Sequence, residues 1–309
     1  MILDLILLLV GCALLYVGAD RVIRHAFQLG TQMRLSPVVT GLVIVAVGTS
    51  LPELAVSVDA AIHGHGAIAL GNVVGSNIVN LTLVIGAGAL FASLVPRTEL
   101  LERDLPLLVI ITLVAAWMLL DGALGRLEGG ILLVSVVGFL LYRVLHSDDR
   151  AVPIHATTRE QDGGIWSAVG GLTIGLVLLI AGAEAMVASA TGLAREFGVS
   201  EAVIALTVTA VATGIPEIAA TLVAIRRGYT ELALGNIVGS NLINLGVVLG
   251  LTGLIAPVSG APIGLAAIVM LVAMTLFLWG LLMLLPLLNR WTGIALLALF
   301  GAYQVSVVS

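Results

Sequence analysis

Two glutamates within apolar sequence are the first residues of this chain that could do chemistry. Glu53 and Glu217 each directly follow a proline, and each lies deep inside a long apolar stretch. Because an ionisable side chain in hydrocarbon is costly, such a residue is a functional candidate by default. The structural alternative is a protonated glutamate that is hydrogen-bonded to a neighbouring helix. Two carboxylates that face one another would instead supply two negative charges, which match one divalent cation.

Further oxygen donors are expected beside each glutamate. Proline removes a backbone hydrogen bond from a helix, so the prolines at 52 and 216 should free carbonyl groups about one turn earlier. The carbonyls nearest to that position belong to Ala46, Thr49, Ala210 and Thr213. Hydroxyl groups add more oxygens at Thr49, Ser50 and Thr213. Each glutamate therefore has neutral oxygen donors close to it in sequence.

Two polar helix faces complete the set of donors. Residues four apart share one face of a helix, and this spacing relates Asn72, Ser76 and Asn80, then Asn236, Ser240 and Asn244. The alternative role for such faces is ordinary hydrogen bonding between membrane helices. Opposite a buried glutamate, carboxylate, hydroxyl and amide oxygens without imidazole or thiolate favour Ca²⁺ or Na⁺ over zinc or copper.

These residues belong to a duplicated sequence. The first copy reads Gly-Thr-Ser-Leu-Pro-Glu over residues 48–53 and Gly-Asn-Val-Val-Gly-Ser-Asn over 71–77. The second reads Ala-Thr-Gly-Ile-Pro-Glu over 212–217 and Gly-Asn-Ile-Val-Gly-Ser-Asn over 235–241. Every matching pair is offset by 164 positions, and the match runs without gaps from about 18–86 against 182–250. The duplication places the two glutamates at equivalent depths.

The composition predicts an integral membrane protein. The chain has 309 residues, of which 60% are hydrophobic and 10% are charged. A soluble domain carries about 25% charged residues, and apolar runs of about 20 residues are long enough to cross a bilayer. We predict an all-α protein with ten transmembrane helices, at roughly 2–20, 35–62, 67–94, 104–121, 127–145, 165–193, 199–225, 231–257, 261–286 and 290–308.

The arginines predict the orientation of these spans. All 13 basic residues are arginine, and 11 of them fall in alternate loops on one side. The side rich in arginine should be cytoplasmic, which places both termini outside the cytoplasm of a plasma (inner) membrane. We divide the chain into a first five-helix repeat at 1–145, a cytoplasmic linker at 146–164 and a second repeat at 165–309. Because each half has an odd number of spans, the second should be inverted, as in secondary transporters.

The duplicated motifs resemble the alpha repeats of the sodium/calcium exchanger family, within the cation/calcium antiporter superfamily. The resemblance is closest to compact prokaryotic members, and it covers nearly the full chain. It implies ten helices, with spans 2, 3, 7 and 8 forming a core around four cation positions. It also implies that spans 1 and 6 slide across that core, so that the site opens to each side of the membrane in turn.

The resemblance also implies the ligands, position by position. The central calcium site would use the carboxylates of Glu53 and Glu217 and the carbonyls of Thr49 and Thr213. The two flanking sodium sites would use Ala46, Thr49, Ser50, Glu53 and Ser76 in one case, and Ala210, Thr213, Glu217 and Ser240 in the other. Asn80 and Asn244 would line the middle position.

Two residues depart from the family pattern. Gly214 stands where the second copy often has serine, so one flanking site loses a hydroxyl and the two sodium sites should differ. Asn244 stands where well-known relatives carry aspartate, as the potassium-dependent branch requires. Asparagine leaves two carboxylates in the site, which argues against potassium dependence and leaves the sodium stoichiometry open.

The expected function is antiport of Na⁺ against Ca²⁺ by alternating access, with Ca²⁺ leaving the cytoplasm as Na⁺ enters. A proton/calcium antiporter is the alternative, although its family usually has an acidic residue where Ser76 and Ser240 stand. A passive channel is a third candidate. An intramembrane hydrolase would need a histidine near Glu53, but His63 lies ten residues on, about 15 Å along a helix.

Other classes of protein are not expected. The sequence has no phosphate-binding loop, nucleophile triad or nucleotide motif, so we predict neither an enzyme nor an ATP-driven pump. The expected partners are Ca²⁺, Na⁺ and the lipid bilayer. We expect no cofactor beyond the transported ions, no nucleic acid and no obligatory protein partner.

Overall fold

The apolar runs fold into helices, which satisfy backbone polar groups where no water is present. A computed structural model describes residues 2–147, 164–198, 212–259, 264–285 and 287–308. In these ranges the helices are α1 (Ile2–Gln32), α2 (Pro37–Thr49), α3 (Leu51–Ile62), α4 (Gly66–Phe91), α5 (Leu100–Asp121), α6 (Arg126–Leu145), α7 (Ile165–Glu196), α8 (Ile215–Arg226), α9 (Thr230–Ile255), α10 (Leu265–Leu284) and α11 (Arg290–Val308).

Most of these helices match a predicted membrane span. Seven are long and apolar enough to cross a bilayer, and the α2–α3 pair makes an eighth candidate. Helix α11 lies at the tenth predicted span, and α8 is the described part of the seventh, because residues 199–211 lie outside the described ranges. The total of ten spans therefore remains a prediction.

Three helices extend beyond their predicted spans by three residues or more. Helix α1 continues to Gln32 rather than ending near residue 20, α5 begins at Leu100 rather than 104, and α7 continues to Glu196 rather than 193. In α1 the charge of Asp20 is met by Arg24, one turn later, at 2.7 Å. The apolar run ends at this point, but the hydrogen-bonded backbone does not, since a helix can continue into polar surroundings.

The first proline interrupts its helix as predicted. Helices α2 and α3 differ in direction by 44°, and the bend lies at Ser50, where φ is −85° and ψ is 3°. Pro52 falls in the first turn of α3, where its missing N–H costs nothing. Pro216 occupies the same position in α8, which begins directly after Gly214. Residues 199–211 lie outside the described ranges, so the break of the second helix remains a prediction.

In the part of the chain that the structure describes, four wide π-helical turns interrupt the helices. They span Thr40–Val45 in α2, Asn80–Val84 in α4, Leu100–Asp104 in α5 and Asn244–Val248 in α9. Such turns often occur at functional sites. Two of the four begin at the asparagines that the sequence singled out, at equivalent positions of the duplicated segment.

Burial separates interior helices from peripheral ones, among which α1 and α7 are the least buried and α6 and α10 follow at 28%. In the apolar part of α9, 83% of residues are buried, and the value for α4 is 78%. The corresponding value is 22% for both α1 and α7. Helices α4 and α9 therefore lie in the interior, whereas α1 and α7 present most of their surface to the surrounding membrane.

Helices α1 and α7 pack against each other in antiparallel directions. A β carbon added to Gly18 would lie 2.9 Å from the carbonyl oxygen of Gly175, and one added to Gly182 would lie 3.0 Å from that of Gly11. Small residues allow membrane helices to approach this closely. The contact is continuous along both helices and joins them into one unit.

Two pairs of loops are held together by short backbone bridges. Leu94 and Leu288 exchange N–H···O bonds of 2.8 and 2.9 Å, and Leu124 and Val258 exchange bonds of 2.8 and 3.1 Å. Each bridge joins a residue of the first half to one of the second half. The two halves are thus attached to one another outside the helices as well as within them.

A buried ion cluster joins α5 to α6. Arg143 is one of the 11 arginines that the sequence assigns to the loops of one side, but it lies in the last turn of α6 and is fully buried. Its guanidinium donates hydrogen bonds of 2.7 and 3.2 Å to the two carboxylate oxygens of Asp104, and one of 3.0 Å to Glu99.

Residues 148–163 of the predicted linker lie outside the described ranges, and the division into two repeats remains a prediction.

Candidate functional site

The two glutamates occupy equivalent places at the helix breaks. Glu53 lies in the first turn of α3 and Glu217 in the first turn of α8, and both side chains are fully buried. The positive end of each helix dipole therefore lies beside a carboxylate. The two residues are close enough for their charges to interact. The structure thus brings together two acidic groups that are 164 positions apart in sequence.

The carboxylates have no protein partner in the described part of the chain. Neither oxygen of Glu53 nor either oxygen of Glu217 accepts a hydrogen bond there. This observation argues against the structural alternative, in which the glutamate is hydrogen-bonded to a neighbouring helix. A buried charge is normally paired or coordinated to a metal ion, so these four oxygens are suited to ligate a cation.

The threonines beside the breaks contact the polar helix faces of the opposite half. The hydroxyl of Thr49 lies 3.3 Å from the hydroxyl of Ser240 in α9. The hydroxyl of Thr213 lies 3.1 Å from the hydroxyl of Ser76 in α4. The two contacts are equivalent, because Thr49 corresponds to Thr213 and Ser76 to Ser240 at the offset of 164. Four of the predicted ligands are therefore neighbours across the two halves.

The backbone at the breaks leaves particular carbonyls available. The carbonyls of Ser50 and Gly214 accept the N–H groups of Leu54 and Ile218, at 3.1 and 3.0 Å. No backbone N–H of a described residue reaches the carbonyls of Thr49 and Thr213.

The expectation of a freed carbonyl is not met at Ala46. Its carbonyl accepts the N–H of Ser50 at 3.0 Å, because the missing proline N–H lies two residues further on. The hydroxyl of Thr49 lies 3.5 Å from the same carbonyl, so a cation at its second lone pair would replace that contact. The corresponding residue of the second half, Ala210, lies outside the described ranges.

The asparagines of α4 and α9 fall into three classes. Asn80 and Asn244 are fully buried, and neither amide nitrogen nor oxygen has a partner among the described residues. Asn77 and Asn241 donate to carbonyls one turn back, at 2.7 and 2.9 Å. Their amide oxygens lack a partner in the same part of the chain, although the sequence did not single out these two residues as ligands.

The third class, Asn72 and Asn236, positions other groups. Asn72 donates to the hydroxyl of Ser57 at 2.9 Å and to the carbonyl of Glu53 at 3.2 Å. Asn236 instead accepts a hydrogen bond of 3.4 Å from the hydroxyl of Thr49. The sequence signal that could have identified Ser57 is its position one turn after Glu53, on the same helix face.

The second half differs from the first at the serine position. Ser50 is buried, and its hydroxyl has no partner among the described residues. Gly214, its counterpart, has φ of −81° and ψ of −5° and is also buried. One side of the site thus has a hydroxyl oxygen that the other lacks.

Four further acidic and histidine side chains near these helices lie at the surface rather than at the helix breaks. Asp59 is exposed, and its carboxylate lies 3.3 Å from His63. Glu184 and His65 are also exposed. In the described ranges no three His, Cys, Asp or Glu residues form a metal-binding cluster. The donors gathered at the breaks are thus two carboxylates among neutral oxygens, a set suited to hard cations.

Comparison with known proteins gives a consistent family. Residues 3–145 and 167–308 match the family of sodium/calcium exchanger proteins. A putative antiporter, CaxA of Alkalimonas amylolytica, is 39% identical, and the match covers 100% of both chains. The inner membrane protein YrbG of Escherichia coli (strain K12) is 37% identical over 83% of this chain and 81% of its own.

A solved structure shares the whole fold. The sodium-calcium exchanger NCX_Mj, soaked with 10 mM Na⁺ and zero Ca²⁺, has a TM-score of 0.85 and 28% identity, and the match covers 99% of each chain. Together with the apolar helices, these matches identify a multi-pass membrane protein of a transporter family. This chain belongs to the sodium/calcium exchanger protein family.

Proposed function

We propose that this protein is a secondary active antiporter that exchanges Na⁺ for Ca²⁺, with Na⁺ entry driving Ca²⁺ out of the cytoplasm. The observation that carries the proposal is the pair of buried carboxylates, Glu53 and Glu217, without hydrogen bonds to any described residue. One Ca²⁺ would neutralise both. Na⁺ ions would need the same oxygens, so the two cargoes would exclude one another.

The proposed ligands follow the contacts at the helix breaks. Ca²⁺ would bind the carboxylates of Glu53 and Glu217 and the carbonyls of Thr49 and Thr213. The Na⁺ sites would keep the ligands expected from the sequence, with Ala46, Thr49, Ser50, Glu53 and Ser76 in one and Ala210, Thr213, Glu217 and Ser240 in the other. The Thr49–Ser240 and Thr213–Ser76 contacts would then lie between the two sites, because each joins a threonine of one site to the serine of the other. Asn80 and Asn244 would line the middle position.

Several contacts between the halves map onto one another when residue numbers are shifted by 164, and these contacts support an inverted repeat. Gly11 and Gly18 correspond to Gly175 and Gly182 at the offset of 164, and these glycines form the antiparallel contact of α1 with α7. Equivalent helices that run in opposite directions are what inversion requires. The same shift of 164 converts the Leu94–Leu288 bridge into the Leu124–Val258 bridge. The relation would then extend well beyond residues 18–86.

Alternating access would be a movement of α1 and α7 against the remaining helices. These two form one unit through their glycine contact, and they are the least buried of the candidate spans. The interior helices α4 and α9, which carry the ligands on their polar faces, would stay fixed. Binding of Ca²⁺ or Na⁺ would favour movement, because without a cation two buried carboxylates repel each other.

A proton/calcium antiporter is the second candidate. Glu53 and Glu217 are the acidic groups of the site, and protons could replace Na⁺ on them. Ser76 and Ser240 lie at the contacts where proton-coupled relatives usually have an acidic residue, which favours Na⁺. The relative CaxA is described as an antiporter, and that description names no coupling ion.

We further propose that the protein lies in the inner membrane, with both termini outside the cytoplasm. It acts without an obligatory protein partner. The arginines of the loops around 21–34, 97–103 and 226–227 share one face, where Arg97 pairs with Glu231 at 2.6 Å and Asp20 with Arg227 at 2.8 Å. That face would be the cytoplasmic one.

Labelling of a terminal cysteine tests this orientation. In a Cys12→Ser background, a cysteine at Ser309 should react with a membrane-impermeant maleimide in spheroplasts. A cysteine at Ser147, next to the arginine-rich face, should react only after permeabilisation. The reverse pattern would show that the orientation is inverted.

Transport in vesicles tests the coupling ion. Vesicles loaded with Na⁺ should take up radiolabelled Ca²⁺ when diluted into Na⁺-free medium, and uptake should stop when the Na⁺ gradient is removed. The physical reason is competition of both ions for the same carboxylates. Uptake that ignores Na⁺ and follows a pH gradient would establish the proton-coupled alternative. Single-channel currents would contradict a carrier of either kind.

Neutral variants of the two glutamates test the central site. Glu53→Gln and Glu217→Gln should each weaken Ca²⁺ binding and exchange at least about 100-fold, since loss of one member of a buried charge set costs about 3 kcal/mol or more. The measurements are Ca²⁺ uptake and thermal stabilisation of purified protein by Ca²⁺. Asp59→Asn is the matched control, because Asp59 is an exposed carboxylate on the same helix. Wild-type exchange activity in either glutamine variant would show that the two glutamates do not form the central site.

The difference between Ser50 and Gly214 predicts unequal sodium sites. Gly214→Ser would add the missing hydroxyl, and the Na⁺ concentration for half-maximal exchange should fall about 3- to 10-fold, as expected for one added polar contact. Gly214→Ala, which adds the β carbon without the hydroxyl, should not lower it. If the serine and alanine variants behave alike, the hydroxyl is not a ligand.

A further inference from the structure

A polar pocket lies beside α1 where its apolar segment ends. It has a volume of about 390 Å³ and is lined by Tyr16, Val17, Asp20, Arg21, Arg24 and His25. The pocket belongs to the face that carries most of the arginines, at the depth expected for lipid headgroups. It is separate from the ion site, because none of its lining residues contributes to the helix breaks.

The pocket and its immediate surroundings carry a net positive charge, because the arginines outnumber the acidic residues. Asp20 is neutralised by Arg24 at 2.7 Å and by Arg227 at 2.8 Å. Arg21 is exposed and makes no ion pair with any described residue. The guanidinium of Arg226, at the end of α8, lies 5.3 Å from the centre of the Tyr16 ring. Arg21 and Arg226 are therefore both available to an anion beside Tyr16.

An apolar groove begins on the other side of Tyr16. It has a volume of about 350 Å³ and runs between α1, α7 and α8, with Cys12, Tyr16, Met186, Ile218 and Leu222 among its lining residues. Tyr16 lines both the groove and the polar pocket. One continuous surface thus passes from a basic pocket into an apolar groove directed toward the interior of the bilayer.

We infer that this surface, at the junction of α1, α7 and α8, binds one anionic phospholipid. Arg21 and Arg226 hold its phosphate, and the groove past Tyr16 and Cys12 holds an acyl chain. Arginine suits the phosphate because its planar guanidinium forms paired hydrogen bonds with phosphate oxygens. Basic pockets between membrane helices on the cytoplasmic side are typical sites for such headgroups. The lipid touches both α1 and α8 and so bridges the peripheral pair to the interior helices.

Lipid retention by purified protein tests the inference without any transport assay. Delipidated protein in detergent is titrated with phosphatidylglycerol or phosphatidylcholine, and bound lipids are counted by native mass spectrometry. One phosphatidylglycerol should be retained per chain, in preference to phosphatidylcholine. Arg21→Gln and Arg226→Gln should each lower its affinity about 5-fold and together about 25-fold, as expected for the loss of one arginine contact each. Both side chains are exposed, so the variants should fold normally.

Controls separate this site from less specific binding. Arg290→Gln removes an exposed arginine that also stacks on an aromatic ring, Trp291, at 5.4 Å, and it should leave retention unchanged. Cys12→Trp, which fills the groove, should weaken phosphatidylglycerol binding, and free glycerol phosphate should not compete. The proposed site would be wrong if both lipids were retained equally. It would also be wrong if Arg290→Gln reduced phosphatidylglycerol retention as much as Arg21→Gln or Arg226→Gln does. Competition by glycerol phosphate at the affinity of the lipid would replace it with a site for small anions.

Discussion

The structure depends on two carboxylates that are buried where charge is costly. Glu53 and Glu217 are fully buried, and among the described residues nothing donates a hydrogen bond to them. Such groups persist only where a cation, a proton or a partner offsets the cost of removing them from water. Placement in the first turns of α3 and α8 supplies part of that offset through the helix dipoles. Under the proposed function, a bound cation supplies the remainder.

The surrounding fold brings the two halves of this cage together. Each break is followed by a glutamate and preceded by a threonine, and each threonine contacts a serine of the opposite half. The contacts occur in exchanged pairs, as do the glycine crossings and the loop bridges. A consequence is that neither half contains a complete site by itself. Under the proposed function, binding of the cargo would therefore stabilise the association of the halves, and a change in their arrangement would change the site.

Much of this arrangement follows from the sequence. The broken helices could be predicted from Pro52 and Pro216, and the polar faces from the spacing of four in α4 and α9. Other features could not. The buried pair of Arg143 with Asp104 joins residues far apart in sequence, and Arg143 alone looks like an ordinary loop arginine. The bond from the Ser50 N–H to the carbonyl of Ala46 depends on the exact path of the chain at the bend. The lipid surface depends on Tyr16 and Arg226, which lie on different helices.

The central claim is that Glu53 and Glu217 together hold one divalent cation that Na⁺ displaces. Diffraction from crystals soaked in Ca²⁺, with increasing Na⁺, tests it most directly. The account predicts one Ca²⁺ peak between the two carboxylates, with oxygen distances of about 2.3–2.6 Å, and an occupancy that falls as Na⁺ rises. A Ca²⁺ peak away from both glutamates, or one whose occupancy is unaffected by Na⁺, would contradict it.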